Sequence, residues 1–394
     1  MRVTALAAHT PEAVRAALAA RGWAPEPAWL AATGLHPHTL LVEEITEDER
    51  EALVHWGARA GADVLTGEGW ALVAAPASRL APLARPDRAP PGLERLGVAL
   101  GAALTAAVEP ARAWHIGWGL PALALDDPVL IGIINVTPDS FSDGGRFTTP
   151  DQAVARAERL RADGARLLDV GGESTRPGAR EVPAAEEIGR VVPVVEALVR
   201  RGLGPVSVDT RKAGVARAAL AAGAAVVNDV SGFTFDPAMA EVVASAQAGA
   251  LLMHMRGEPA TMDDLARYTD VTVEVAAELR ARADAAERAG VARERIALDP
   301  GLGFAKTGAQ SLRLLDEVAT IVALGYPVAV GPSRKRFLGA ATGRPVEDRD
   351  RATAVACALA WERGARLFRV HEVAPAREAL ELARAAGEGR DTGP

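Results

Sequence analysis

From residue 130 onward, one unit recurs eight times: a short apolar run, a polar tip, then a stretch with helical spacing of apolar residues. The apolar runs lie at 131–136, 167–170, 206–208, 225–228, 249–253, 296–298, 327–330 and 367–370. Each is too short for a helix and lacks in–out alternation, as expected of a strand buried on both faces. Helical spacing fills the intervals, for example at 151–163, 184–201, 271–289 and 348–361. Strands separated by helices pair in parallel through crossovers. Eight such units over about 250 residues favour a closed (β/α)8 TIM barrel over an open doubly wound sheet. Barrels of this kind place their chemistry just beyond the C-terminal ends of the strands, so the eight polar tips are where function must be sought.

The first 110 residues follow a different pattern and predict a small α+β domain, giving a division into 1–110 and 111–390. Strands are expected at 3–8, 39–45 and 70–75, with helices at 11–21 after Thr10 and at 92–108. A further helix should start after Thr46, with Glu47, Asp48 and Glu49 in its first turn where the macrodipole favours them. The run PLARPDRAPP at 82–91 reads as a linker. Six of the seven Trp lie at or before position 118 and all seven Phe at or after 141, which supports two modules. No catalytic constellation is visible in the first module, and the His36-Pro-His38 turn reads as surface loop.

Net charge is −7, which argues against nucleic-acid or membrane-surface binding. One cysteine, Cys357, excludes an internal disulfide and a multi-Cys zinc site. No signal-peptide pattern opens the chain, and the Ala-rich segment near Ala102 is too interrupted to span a bilayer. A cytoplasmic protein is expected. The chain has 41 Arg but only three Lys, at 212, 306 and 335. A Lys retained against that bias points to a site that needs a compact ammonium.

Taken in order, the tips offer Asn135; then Asp169, Glu173, Ser174, Thr175 and Arg176; then Asp209; then Asn228 and Asp229. The fifth gives Met253-His254-Met255, the sixth Asp299, Phe304 and Lys306, the seventh Ser333, Arg334 and Lys335, the eighth Arg369 and His371. Any one of these has an ordinary explanation, a helix cap for Asp209 or a buried hydrogen-bonded ring for His254. Polar groups at all eight tips, converging on one mouth, do not. Asp209, Asn228 and Asp299 suit the amide and amino edge of a heterocycle. Arg369, His371 and Arg176, with the Ser174 and Thr175 hydroxyls, suit a phosphate. Asn135 is a neutral oxygen that could join a Mg²⁺ held mainly by phosphate oxygens and water. No Ser-His-Asp or Cys-His arrangement is present, which disfavours covalent catalysis.

At these same residues the chain closely resembles the dihydropteroate synthase family. NVTPDSFSDGG at 135–145 and GGESTRPGA at 171–179 carry most of the likeness. SVDT at 207–210, NDVSG at 228–232, MHM at 253–255, DPGLGF at 299–304, SRK at 333–335 and RVH at 369–371 complete it. The resemblance covers about residues 114–386. It implies condensation of 6-hydroxymethyl-7,8-dihydropterin diphosphate with 4-aminobenzoate to 7,8-dihydropteroate and diphosphate, with Mg²⁺ and in a homodimer. By the same resemblance Asp209, Asn228, Asp299 and Lys335 hold the pterin and Met253 packs on its ring. Asn135, Arg369 and His371, helped by Thr175, hold the Mg-diphosphate. Thr175, Arg176, Pro177, Phe304 and Ser333 line the aminobenzoate pocket, and Phe141 closes over it. Asp209, Lys335, Arg369 and His371 are the residues implied to act in catalysis. Pro332, before SRK, departs from the family pattern.

The loop at 139–145 is expected to act as a lid, ordered when substrates are bound. A corrinoid-dependent methyltransferase of the related pterin-binding barrels would share the Asp/Asn set but has no use for the ESTRP and RVH elements. A non-catalytic pterin-binding paralogue should have lost the anion cradle or the loop, and neither is lost.

Overall fold

The computed structural model describes residue 24 and residues 37–137, 149–175 and 181–388. The expectations for 3–8, for 11–21 with Thr10, for His36, for the 139–145 loop with Phe141, and for Arg176 and Pro177 lie outside the described residues. The chain divides into two compact units. One is Met1–Pro110 with Ala323–Gly325 and Ala386–Pro394, the other Ala111–Val322 with Tyr326–Ala385.

In the first unit the described elements are β1 (Pro37–Glu43), α1 (Glu47–Ala60), β2 (Asp63–Gly67), β3 (Trp70–Pro76), α2 (Ala77–Leu80), a 3₁₀ turn at Pro86–Arg88 and α3 (Glu94–Val108). The strands form an antiparallel sheet in the order β1-β3-β2, and Ala71, Val73 and Ala75 give β3 one buried face. Thr46 and Glu49 form a reciprocal capping box at the start of α1, and Gly61 ends that helix at φ 73°. The proline-rich stretch at 82–91 is not a linker. Leu80, Leu83 and Leu93, within or beside it, are buried with Leu53, Trp56 and Leu100 in the unit's core. A Cβ built at Gly97 in α3 would lie 3.2 Å from the Pro86 Cα, so the turn packs directly against the helix. Proline stops a helix from propagating but does not prevent burial of the leucines around it.

The second unit opens with a two-strand hairpin, β4 (Ala113–Trp114) and β5 (Leu123–Ala124). Eight parallel strands follow: β6 (Val129–Asn135), β7 (Leu167–Gly171), β8 (Val206–Asp209), β9 (Val226–Asp229), β10 (Gly249–Met253), β11 (Ile296–Asp299), β12 (Ala329–Val330) and β13 (Leu367–Val370). Their order is β11-β10-β9-β8-β7-β6-β13-β12, and a parallel bridge between Leu298 and Val328 joins the two ends. That single bridge completes the ring, so the strands form a near-closed barrel, as expected. Among the helices wrapped around it are α4 (Pro150–Ala162), α5 (Ala184–Arg200), α6 (Ala213–Ala221), α7 (Met239–Ser245), α8 (Val271–Arg288), α9 (Gly308–Asp316) and α10 (Ala319–Val322). After β12 come α11 (Arg336–Thr342) and α12 (Asp350–Glu362), and after β13 comes α13 (Val373–Glu388). Every residue of β7 to β12 is buried, which is why these strands show no alternation in sequence.

The hairpin has a job that sequence did not reveal. Trp114 is fully buried among Val129, Leu167, Val226, Leu251, Ala297, Ala329 and Leu367, residues at or near the start of their strands. Its indole N–H donates to the Arg295 carbonyl at 2.9 Å. The hairpin therefore plugs the N-terminal end of the barrel, leaving the opposite end for chemistry.

Candidate active site

Arg369, on β13, is the hub of the C-terminal mouth. Its Nε donates to Asp169 Oδ2 of β7 at 2.5 Å and its Nη2 to Asp209 Oδ2 of β8 at 2.6 Å. Asp169 Oδ2 also accepts from Asn228 Nδ2 of β9 at 3.0 Å, while Asp169 Oδ1 accepts from the Ser207 hydroxyl of β8. A single buried carboxylate thus orients a guanidinium, an amide and a hydroxyl drawn from three other strands. Burial pushes the Asp209 carboxyl up to about 7; Arg369 opposes the rise and Asp169 adds to it. One cation between two buried carboxylates leaves a surplus of negative charge, and a proton near neutrality relieves it.

Across the mouth, burial likewise raises Asp299 at the end of β11, with Lys335 opposing. Asp299 Oδ1 accepts from the Gly301 N–H at 2.7 Å. Lys335 is pushed down to about 8 by burial, with Asp299 holding it up and Arg369 adding to the fall. Its ammonium donates to the Leu302 carbonyl and sits 4.4 Å from the centroid of the Phe304 ring. Phe304 packs in turn against the buried cluster of Val230, Met253, Met255, Met262 and Ala305. Glycines keep the space between these groups open. A Cβ built at Gly171 would lie 3.6 Å from Asp209 Oδ2, and one at Gly331 would lie 3.7 Å from Asp299 Oδ2 and 3.9 Å from Arg369 Cβ.

His371, just past β13, stands with its Nδ1 2.9 Å from Ser333 Oγ, and that oxygen accepts from the His371 backbone N–H at 3.1 Å. Burial, reinforced by Arg369, pushes the imidazole down to about 3, so it is neutral at physiological pH. When Ser333 donates to Nδ1, the remaining proton is on Nε2 and is available to an anion. His371 can therefore serve an anion as a hydrogen-bond donor, while the positive charge belongs to Arg369. Asn135 ends β6 in register with Gly171, and Ser174 and Thr175 are half-buried at the end of the described part of the second loop.

Convergence of every polar tip on the mouth does not hold. Asp229 is buried, and its carboxylate is taken up by the Ser231 N–H and hydroxyl and by the Phe233 N–H. His254 is buried between Glu278 and Lys306. Glu173 accepts from Lys212, which also pairs with the buried Glu187. Arg334 makes a two-pronged contact with Asp350, both bonds at 2.8 Å. These residues brace the loops, because a polar group just below a strand tip must be satisfied locally once water is excluded. The two Lys other than Lys335 are both among them. Asp169, conversely, has no role in the pattern of tips, yet it organises the centre. An ionisable residue inside the otherwise apolar run LLDVG was the available signal.

Cys357 is buried and far from a thiolate, its pKa pushed up by desolvation. Among the described residues no trio of His, Cys, Asp or Glu is placed to hold a metal. The donors instead fit a substrate with a heterocyclic head between Asp209 and Asp299 and an anionic tail at Arg369. A cation carried in by that tail would need little from the protein beyond Asn135.

Comparison with known proteins gives clear matches. The profile of the family described as pterin binding enzyme matches residues 131–371. The chain is 49% identical over 260 residues to the dihydropteroate synthase of Mycobacterium leprae, spanning 64% of this chain and 91% of that protein. A structure of Xanthomonas albilineans dihydropteroate synthase with 4-aminobenzoic acid is 47% identical, covers 69% of this chain and 96% of that one, and superposes with a TM-score of 0.64. A structure of the same bacterial enzyme in complex with 7,8-dihydropteroate is 43% identical, covers 69% and 97%, and gives a TM-score of 0.61.

Proposed function

Because the chain belongs to the dihydropteroate synthase family of pterin-binding enzymes, we infer that its barrel mouth joins 6-hydroxymethyl-7,8-dihydropterin diphosphate to 4-aminobenzoate. The products are 7,8-dihydropteroate and diphosphate, a pterinylmethyl transfer of folate biosynthesis. The bond from the pterin's exocyclic carbon to the diphosphate oxygen breaks, and its electron pair leaves with diphosphate. The arylamine lone pair forms the new C–N bond, and the amine loses a proton.

The observation that carries this reading is Arg369 held between Asp169 and Asp209, a cation for the leaving group beside an acid for the ring. We assign the pterin to Asp209, Asn228, Asp299 and Lys335, with Met253 against its face. Arg369 and the neutral His371 take the diphosphate, with Thr175 and Ser174 beside them. Fixed donors aimed at charge that grows on the departing oxygen are the usual source of such rate enhancement. Asp209, when ionised, faces a ring that becomes cationic as the bond breaks. Phe304, Ser333, Thr175, Arg176 and Pro177 are assigned to 4-aminobenzoate, and Phe141 to the lid over it.

We propose that Mg²⁺ accompanies the diphosphate and that Asn135 supplies the one protein oxygen. When bound, the ion neutralises charge on the leaving group. We also propose a homodimer through α9 and α12, where Leu312, Val355 and Leu359 are exposed apolar residues on neighbouring helices. Among the described residues no helix is long and apolar enough to cross a membrane. A cytoplasmic location is proposed.

The test is diphosphate release by the full chain with pterin diphosphate and Mg²⁺, with and without 4-aminobenzoate. Release that requires the arylamine and yields dihydropteroate in equal amount is expected. Release indifferent to the arylamine would overturn the reading.

A further inference from the structure

Lys306 is one of the chain's three lysines, and nothing in the proposed reaction uses it. Its side chain is buried, and its Nζ meets three acceptors: His254 Nδ1 at 2.9 Å, the His254 carbonyl at 3.3 Å and the Phe304 carbonyl at 2.9 Å. Burial, reinforced by Lys335, pushes Lys306 well below the usual lysine range, and the three acceptors oppose that fall by offering a partner to each proton of the ammonium form. The far side of the imidazole fixes the proton count. His254 Nε2 lies 2.9 Å from Glu278 Oε2, and Glu278 is also bonded to Arg256. Although burial raises Glu278, the hydrogen bonds from His254 and Arg256 hold it down at about 2, so it is a carboxylate that accepts from Nε2–H. The His254 ring stays neutral, pushed down to about 3 by burial and by Lys306. Nδ1 is then bare and can only accept.

The turn that Lys306 closes enters the left-handed region three times, twice at glycines that adopt it freely. Gly301, Gly303 and Ala305 have φ of 66°, 80° and 49°, and the last carries a Cβ into the left-handed region. The near half is fixed by Asp299, through Gly301, and by Ser311, whose hydroxyl accepts from the Gly303 N–H at 3.1 Å. The far half, Phe304 to Lys306, depends on Lys306 and on Tyr268, whose hydroxyl donates to the Ala305 carbonyl at 3.1 Å. Tyr268 is itself stacked under Arg256, 3.9 Å from its ring centroid. The Phe304 ring, seated under the Lys335 ammonium, is the part of this half that reaches the mouth.

We propose that Lys306 is a positioning residue: through the Glu278–His254–Lys306 chain it fixes the backbone at Phe304 and so sets the wall of the arylamine pocket. This rests on the assignment of Phe304 to 4-aminobenzoate made above. Lys306 touches no substrate. It acts on one half of one turn, so its loss weakens arylamine capture while the pterin site is retained, anchored by Asp209, Asn228 and Asp299 and by Lys335 through the Leu302 carbonyl of the other half.

The experiment is steady-state kinetics of the full chain carrying Lys306→Met, with each substrate varied in turn. The expected result is a rise of about tenfold or more in the KM for 4-aminobenzoate, with the KM for pterin diphosphate within about threefold of wild type. Tyr268→Phe, which deletes only the bond to Ala305, should move the same KM in the same direction by a smaller factor. If Lys306→Met does not fold, as judged by circular dichroism, Tyr268→Phe decides by that criterion. An unchanged arylamine KM in a folded variant overturns the proposal, as does a parallel rise in both KM values. Failure of wild-type protein to make dihydropteroate would instead remove the functional reading beneath it.

Discussion

Replacing Asp169 by Asn probes the centre of the site without touching a residue assigned to substrate. The substitution keeps shape and leaves Arg369 its bond to Asp209. It removes the charged acceptor for Arg369 Nε and sets an amide N–H₂ against either Arg369 or the Ser207 hydroxyl. Loss of one hydrogen bond to a charged group is worth about 1.5–3 kcal/mol. The larger penalty of an orphaned buried charge, about 3–5 kcal/mol, is not reached because Asp209 still pairs with Arg369. If that loss falls on the transition state, kcat/KM drops by about 10- to 150-fold. A second readout follows from charge. Asp169 is one of the groups that raise Asp209, so neutralising it lowers the Asp209 pKa. The acid limb of the kcat/KM profile, where Asp209 gains its proton, moves to lower pH. Diphosphate release measured from pH 5 to pH 9 reads both effects, and a urea melt controls for folding. A kcat/KM within about threefold of wild type, or an acid limb that moves up, would refute the role given to Asp169.

Lys335→Arg keeps the charge but not the fit among Leu302, Phe304 and Asp299, and kcat/KM should fall by about 100-fold or more; turnover near wild type contradicts the need for a compact ammonium. Asp209 and Asp229 are raised by burial to about 7 and about 6, so above about pH 4 the folded chain holds protons the unfolded chain has released. Their contribution to stability is full below that pH and is lost as pH rises through the folded values. Asp209→Asn should therefore flatten the decline in urea-unfolding free energy between pH 4 and pH 7, and an unaltered slope speaks against the raised pKa. Gly301→Ala should destabilise by about 3 kcal/mol or more, because φ is 66° and the new Cβ would lie 2.0 Å from the His254 carbonyl oxygen; an unshifted urea midpoint contradicts that contact.

The barrel was legible because closure leaves its strands no solvent face: 131–136 or 249–253 can only be core, and eight such runs close on themselves. The tips were legible as a place, less so as a set of directions. Asp209, Asn228, Asp299 and Arg369 turn into the mouth, whereas His254, Lys306 and Arg334 turn into the protein, and strand-tip position alone does not distinguish the two. Asp169 escaped assignment because β7 is buried on both faces, so no periodicity tells which of its residues point inward. The Trp114 hairpin pairs only two residues per strand, below the length at which alternation can be read. At 82–91 the four prolines mask Leu83 and the flanking Leu80 and Leu93, which decide burial.

The proposed function makes recognition of the diphosphate turn on Arg369, and equilibrium binding tests it most directly. The dissociation constants of 6-hydroxymethyl-7,8-dihydropterin diphosphate and of the corresponding alcohol should be measured, with Mg²⁺, on wild type and on Arg369→Met. Wild type should favour the diphosphate by about 100-fold or more, and the folded variant should lose most of that preference. A preference kept in full by the variant would contradict the placement of the leaving group at Arg369.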